Sequence, residues 1–250
     1  MRQQSDSLHK EPHICSEIIE KMKVGVIVFP GSNCDQDLVD ALKISGFKSV
    51  VKLWHKQSDL ENCNVLFIPG GFSYGDYLRS GAIAPFSPIM KEVIRFAHAG
   101  GIVVGICNGF QILIESGLLP GALLRNKNLL FVCDYVTVKI ATSDSILTSN
   151  LNIEKKLRIP IAHGEGRFFA KPEELKTIED NDQVLFRYVS TEDAIDINFN
   201  PNGSLNNIAG IVNKKRNVLG MMPHPERVTD NRLGRNDGKN LFENLLSSFS

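Results

Sequence analysis

The sequence predicts an α/β protein built on a mostly parallel, doubly wound sheet, with antiparallel strands added at an edge. Three observations predict it. From Lys23 to Ser116, short and almost wholly apolar runs alternate with segments of helical period, as expected of strands covered on both faces and joined by crossover helices. The first and third of these runs end in Pro-Gly, a signal that the chain turns out of a strand. Beyond about residue 125 the runs alternate apolar with polar residues, the pattern of antiparallel strands with one covered face.

Val24–Phe29 (VGVIVF) is the first strand, stopped by Pro30-Gly31. From Asp35 to Gly46, Leu38, Leu42 and Ser45 fall near one face with Val39 and Ala41 flanking, so this is a helix that Gly46 ends. Val50–Trp54 is the second strand and Asn64–Ile68 (NVLFI) the third, closed by Pro69-Gly70-Gly71. Ile83–Ala97 is a helix interrupted early by Pro85 and Pro88 and ended by Gly100-Gly101. Ile102–Ile106 (IVVGI) is the fourth buried strand, with Asn108–Ser116 the helix behind it. Leu129–Ile140, Lys156–Ala162 and Gln183–Ser190 are the alternating strands, and Asn207–Asn213 and Asn217–Met222 flank Lys214-Lys215-Arg216 like a hairpin. The last helix, Gly238–Phe249, carries Leu241, Leu245 and Phe249 at helical spacing.

No internal repeat or Pro/Ser-rich linker divides residues 22–250, which read as one domain. Residues 1–21 are polar and carry both charge signs, and Met22 stands just before the first strand. They read as a disordered arm or an over-long start, not as a secretory signal or transit peptide.

Composition narrows the function. The 250 residues are 42% apolar and 22% charged, ordinary for a globular chain that buries a core. Twenty-eight basic residues balance 28 acidic ones, so no surplus charge draws the chain to nucleic acid or an anionic membrane. No apolar run approaches the roughly 20 residues that cross a bilayer. The five cysteines, Cys15, Cys34, Cys63, Cys107 and Cys133, form no CxxC pair and no metal-ligand spacing. Free thiols in a reducing, cytoplasmic setting are the simplest reading, with no metal.

The segment richest in chemistry is Gly105-Ile106-Cys107-Asn108-Gly109-Phe110-Gln111, where a buried strand meets a helix. In a G-x-nucleophile-x-G elbow the nucleophile sits in a strained turn, and the glycines let strand and helix approach without Cβ clashes. Such a turn projects the Cys107 sulfur past the strand's carboxyl end, where doubly wound sheets bind ligands. The Asn108 amide, in the first helical turn, can face an oxyanion, and the helix N-terminus favours a thiolate. The alternative is an inert buried cysteine; the two glycines favour the elbow.

A thiol nucleophile needs a base, and Met222-Pro223-His224-Pro225-Glu226 supplies one. Pro225 keeps His224 out of the α region. In an extended chain residues i and i+2 point the same way, which sets Glu226 beside the His224 ring. Glu226 would then fix the tautomer and leave the other nitrogen for Cys107. The alternative is a rigid surface turn. Pro69-Gly70-Gly71 is a third part, where the Gly71 N–H is a candidate second oxyanion donor and the alternative is a plain turn.

Gly-x-Cys-x-Gly-x-Gln followed far downstream by His-Pro-Glu resembles the class I (triad) glutamine amidotransferases. Lys23–Asp37 (KVGVIVFPGSNCDQD), Pro69–Ala84 (PGGFSYGDYLRSGAIA), Gly105–Gln111 (GICNGFQ), His163–Phe168 (HGEGRF) and Met222–Arg227 (MPHPER) further resemble the glutaminase subunits of phosphoribosylformylglycinamidine synthases. The likeness covers roughly residues 22–250; only the amino-terminal arm departs from it.

The resemblance implies a flavodoxin-like sheet and hydrolysis of glutamine in de novo purine synthesis. It implies Cys107 as nucleophile, His224 as base and acid, Glu226 as orienter, and the Gly71 and Asn108 amides as oxyanion hole. Gln111, and with it His163 and Glu165, would bind glutamine; the alternative for His163 is a structural histidine at a strand end. Cys34, Cys63 and Cys133 lack flanking glycines and read as packing residues.

The chain has no GxxxxGK[ST] loop and no room for a synthetase domain, although the family reaction consumes ATP. ATP and Mg²⁺ are therefore implied on a separate synthetase subunit, commonly accompanied by a small third subunit, with no cofactor in this chain. The Phe72–Gly81 segment with Arg79 is a candidate docking surface; the alternative is an ordinary Ω-loop. Competing readings are a hydrolase or glyoxalase of another cysteine-elbow family, a non-catalytic regulatory subunit, and a glutaminase serving a different synthetase. The first leaves Gln111 and His-Pro-Glu unexplained, and the second is at odds with an intact Cys107/His224/Glu226 set. The FSYGDYLRSG and HGEGRF segments speak against the third.

Overall fold

The computed structural model describes residues 22–190 and 199–249; Cys15 and the 1–21 segment lie outside the described residues. In chain order the strands are Lys23–Val28 (β1), Ser49–Trp54 (β2), Val65–Ile68 (β3), Ile102–Ile106 (β4), Ala122–Leu124 (β5), Val132–Ile140 (β6), Lys156–His163 (β7), Arg167–Phe169 (β8), Val184–Tyr188 (β9), Ile208–Val212 (β10) and Val218–Met221 (β11). The α-helices are Asp35–Ile44 (α1), Pro88–His98 (α2), Asn108–Glu115 (α3), Pro172–Asp180 (α4) and Asp237–Ser247 (α5).

Among the described residues, nine strands form one sheet in the order β2-β1-β3-β4-β11-β10-β9-β6-β7. The first five are parallel, and β10, β9, β6 and β7 extend the sheet through successive antiparallel pairings. The apolar runs of the parallel half are buried as expected: no residue of β3 reaches solvent. The alternating strands keep one wet face, as along β7, where Leu157, Ile159 and Ile161 are buried and Arg158 is exposed. The hairpin around Lys214-Lys215-Arg216 is β10–β11.

β11 completes the parallel block although it is the last strand in the chain. It lies beside β4 with Met221 opposite Ile106, as Ile68 on β3 lies opposite Gly105. Segments leaving β3, β4 and β11 therefore emerge at one level from three neighbouring strands. That register, rather than proximity in sequence, assembles the site.

Local differences have local causes. The segment with two early prolines divides: Ala84–Phe86 is a short 3₁₀ turn holding Pro85, Ser87 is extended, and Pro88 opens α2, where its missing N–H has no intrahelical partner to lose. α4 was not foreseen because PEELKTIED buries only Ile178. The β5–β8 ribbon has three-residue strands, too short for a period. The strand expected from Leu129 starts at Val132, and Leu129, Leu130 and Phe131 are exposed.

Candidate active site

Cys107 caps α3 with φ 51° and ψ −105°, a left-handed conformation that is uncommon for a residue with a Cβ. It is held there from both sides. Its N–H donates to Met221 O on β11 at 2.7 Å, and its carbonyl accepts from Gln111 N at 3.1 Å. The flanking glycines are needed for close approach. A Cβ on Gly109 would lie 1.9 Å from Ile68 O, and one on Gly105 would lie 2.6 Å from the Gly109 carbonyl. Strand β4 and helix α3 thus meet backbone to backbone, and the strained residue between them is the cysteine, as the elbow reading expects.

His224 leaves the end of β11, pinned by its N–H to Pro160 O at 2.8 Å. Its Nδ1 lies 2.6 Å from Glu226 Oε1, and both side chains are almost wholly buried. The expected neighbourhood is present but its geometric reason differs. His224 has φ −102° and ψ 84°, outside the α region, and Pro225–Arg227 is a 3₁₀ turn rather than extended chain. The turn brings Glu226 back to the ring.

Burial alone would lower the His224 pKa. The Glu226 carboxylate, then the Cys107 sulfur, overcome this and hold it well above the ordinary histidine value. The ring therefore favours the imidazolium. His224 Nε2 has no partner in hydrogen-bond geometry, yet the Cys107 and Cys34 sulfurs both lie close enough to act on its titration.

Gly71 lies at the end of β3 with φ +144°, and a Cβ there would fall 2.7 Å from both Asn33 N and Gly31 O. The position excludes any side chain. Gly71 and Cys107 line the same cavity, and Asn108 opens α3, so its N–H has no acceptor within the helix. The Asn108 side chain accepts from Ser73 N at 3.0 Å and donates to Gln111 Oε1 at 2.8 Å.

That cavity, about 270 Å³, also receives Gln111, His163 and Glu165. Both polar ends of Gln111 are taken up within the protein, since its Nε2 donates to Glu165 O at 2.6 Å. It therefore braces the cavity wall. His163 Nδ1 lies 3.1 Å from Asn126 Oδ1, whose amide nitrogen donates to Leu130 O and His163 O, both at 2.8 Å. Asn126 Oδ1 is thereby an acceptor, His163 Nδ1 the donor, and His163 Nε2 a lone pair with no partner. Burial, with His224 adding to it, pushes the His163 pKa down to about 4, so its imidazole is neutral at physiological pH.

All eight expected site residues therefore converge on one end of the sheet. Three other residues were not assigned to the site from the sequence. Cys34, read as packing, is buried, but its sulfur lies against His224 and accepts from Arg227 Nη2 at 3.1 Å. Asp76 and Arg125 line the cavity beside Cys107. Asp76 lay within the quoted FSYGDYLRSG segment; Arg125 had no local signal. Cys63 packs as expected, its thiol pushed up to about 11 by burial. Cys133 does not pack: it is exposed on β6, where Asp134 and Tyr135 are exposed as well. Arg79, expected at a docking surface, is held by Glu115, with Nε 2.7 Å from Oε1.

Residues 21–242 match the CobB/CobQ-like glutamine amidotransferase domain family. Among curated relatives, the phosphoribosylformylglycinamidine synthase subunit PurQ of Gloeobacter violaceus is 54% identical over 227 residues, covering 91% of this chain and 98% of that one. The subunit of the same name from Koribacter versatilis is 51% identical over 92% of this chain and 99% of its own. Among solved structures, a chain of the PurLQS structure from Thermotoga maritima superposes with a TM-score of 0.81 at 40% identity, covering 92% of this chain and 100% of that chain.

Proposed function

The chain belongs to the CobB/CobQ-like glutamine amidotransferase family, and we propose that it is the glutaminase subunit of a phosphoribosylformylglycinamidine synthase, a reading supported by relatives named as subunit PurQ of that synthase. It hydrolyses glutamine to glutamate and ammonia. The ammonia passes to a separate synthetase subunit, which converts formylglycinamide ribonucleotide to formylglycinamidine ribonucleotide in purine synthesis. The PurLQS neighbour supports an assembly with that synthetase and a small third subunit. ATP and Mg²⁺ act on the synthetase in this reading, and the complex works in the cytoplasm. Among the described residues no helix is long and apolar enough to cross a membrane.

The single observation that carries the mechanism is the elbow cysteine sharing a cavity end with a buried, carboxylate-held histidine. The Cys107 thiolate attacks the side-chain carbonyl carbon of glutamine while His224 stands as imidazolium. The Gly71 and Asn108 N–H groups face the oxygen as it gains charge; one such donor is typically worth about 10²–10³ in rate. Collapse breaks the C–N bond, His224 delivers its proton to the departing nitrogen, and ammonia leaves a glutamyl thioester. The neutral ring then takes a proton from water, which attacks the thioester and frees glutamate and the thiol.

Ammonia that escaped to bulk water would be protonated and lost as a nucleophile, so the mouth must be sealed on docking. The rim supplies an apolar seat: Phe72 stacks on Phe131 at 6.4 Å, and Tyr77, Leu78, Leu129 and Leu130 are exposed. The test is synthesis by the reconstituted complex. Cys107→Ala abolishes glutamine-driven synthesis and leaves ammonia-driven synthesis intact, and diazo-oxonorleucine labels Cys107 in the wild type. Glutamine-driven activity in the variant, or a label on Cys34, overturns the assignment.

A further inference from the structure

The His224–Glu226 dyad has a third neighbour that the mechanism leaves unused. Cys34 is 2% exposed and caps α1. Its N–H donates to Gly70 O at 3.3 Å and its carbonyl accepts from Leu38 N at 3.0 Å, so the backbone fixes where the sulfur stands. One ligand atom from each of Cys34, His224 and Glu226 lies within 4.8 Å of the other two, and all three residues are buried. They come from opposite ends of the chain, so no spacing in the sequence announces them.

A second, independent feature points to a ligand here. His224 Nε2 and Glu226 Oε2 are buried polar atoms without a hydrogen-bond partner, so each side chain keeps a ligating atom beyond the 2.6 Å contact that joins them. Buried polar atoms left unmet are costly. A thiolate, an imidazole and a carboxylate together suit Zn²⁺, which binds sulfur at about 2.3 Å and nitrogen or oxygen at about 2.0–2.2 Å. Tetrahedral ligands at those lengths stand roughly 3.3–3.6 Å apart, so side-chain movements of about 1 Å close the set.

Charge and access agree with this. A divalent ion with one thiolate and one carboxylate is neutral, as burial requires. Arg227 Nη2, which donates to Cys34 Sγ at 3.1 Å, stays as an outer donor that orients the sulfur. Cys34, His224 and Arg227 line a cavity of about 180 Å³ that also reaches Cys107, which gives an ion its way in.

Resting on the glutaminase reading, we propose that Cys34, His224 and Glu226 form an inhibitory site for a thiophilic divalent cation of the Zn²⁺ type. Binding sends to solvent the His224 ring proton and the Cys34 thiol proton, the latter otherwise donated to Asn33 Oδ1 at 3.2 Å. The ion then holds the ring and carboxylate that move protons in catalysis. Glutamine hydrolysis stops, while synthesis from free ammonia continues on the partner. Mg²⁺ demands an octahedral set of oxygens and does not fit, so the ion that serves the synthetase leaves this site open.

The experiment titrates the full chain with Co²⁺, a spectroscopic stand-in for Zn²⁺, and assays the reconstituted complex with Zn²⁺. One Co²⁺ per chain gives a thiolate-to-metal charge-transfer band in the near ultraviolet, and Zn²⁺ bleaches it. The band persists in Cys107→Ala and disappears in Cys34→Ser. In the complex Zn²⁺ inhibits glutamine-driven synthesis and spares ammonia-driven synthesis. With each rate referred to its own metal-free value, Cys34→Ser needs more than about a hundredfold more Zn²⁺, beyond what loss of an outer-shell partner costs.

No band in the wild type, a band that survives in Cys34→Ser or vanishes in Cys107→Ala, or equal Zn²⁺ sensitivity in Cys34→Ser overturns the site. Should circular dichroism show Cys34→Ser misfolded, Glu226→Gln takes its place in the Co²⁺ titration. Its amide can still bond His224 Nδ1 but ligates poorly, so Co²⁺ affinity falls by more than about tenfold; an unchanged affinity is again fatal. Failure of the underlying glutaminase reading looks different, since the metal-free wild-type complex would then release no glutamate from glutamine, whatever the Co²⁺ spectrum.

Discussion

Replacing Glu226 by Gln keeps an oxygen for His224 Nδ1 and removes only the charge. The contact is 2.6 Å and both side chains are at most 4% exposed, so solvent screens it little. A hydrogen bond to a charged group is worth about 1.5–3 kcal/mol. This charge is the main force holding the His224 pKa above the ordinary histidine value. The same energy, lost where the imidazolium faces the thiolate, slows thioester formation by about 10- to 10²-fold.

The sign in stability follows. A histidine whose folded pKa is raised adds stability that is complete below its unfolded value, about 6.5, and is lost as pH rises through the folded value. The deficit of Glu226→Gln is therefore largest near pH 6 and shrinks in alkali. Two assays check this: the His224 ring titration by NMR, and the glutaminase rate of the complex across pH. A His224 midpoint that stays put or rises in the variant, or an unchanged rate, refutes the dyad as the source of the raised pKa.

Two further outcomes test the frame around the dyad. Gly109→Ala places a methyl 1.9 Å from Ile68 O, where contact needs about 3.4 Å or more, so α3 must move off β3 by over an ångström; overpacking of this kind costs about 1–3 kcal/mol. Thermal unfolding should fall accordingly, and the displaced Cys107 should lose about 10²-fold in rate; a wild-type rate would show that the elbow tolerates slack. His163, with its pKa lowered to about 4, contributes stability that is present above its unfolded value of about 6.5 and is lost as pH falls toward 4. In denaturant titrations His163→Gln should therefore show a shallower acid limb than wild type across that window, and parallel limbs would argue that the ring is not buried neutral.

Legibility followed physical range. β1, β3 and β4 were readable because a strand covered on both faces must be apolar throughout, and α3 because its glycines mark a close approach that any Cβ would prevent. The pairing of His224 with Glu226 was readable from two residues, though the turn that makes it was not. α4 escaped because it buries only Ile178, and the β5–β8 ribbon because three-residue strands are too short to show a period. Cys34, Asp76 and Arg125 escaped because each matters through a neighbour contributed by another segment.

By itself the sequence determined which chemistry is possible: a thiol at a strained strand–helix junction, a His-Pro-Glu histidine with its carboxylate two residues on, and glycines where backbone must approach backbone. These follow from sterics and bonding between near neighbours, which the order of residues specifies directly. Only the tertiary structure decided that the parts meet. The last strand of the chain inserts beside the fourth with Met221 opposite Ile106, and that pairing is a balance of many long-range contacts rather than a property of any segment. It carries His224 to Cys107, sets a second thiol against the same ring, and closes a cavity around two acids and an arginine drawn from three separate loops.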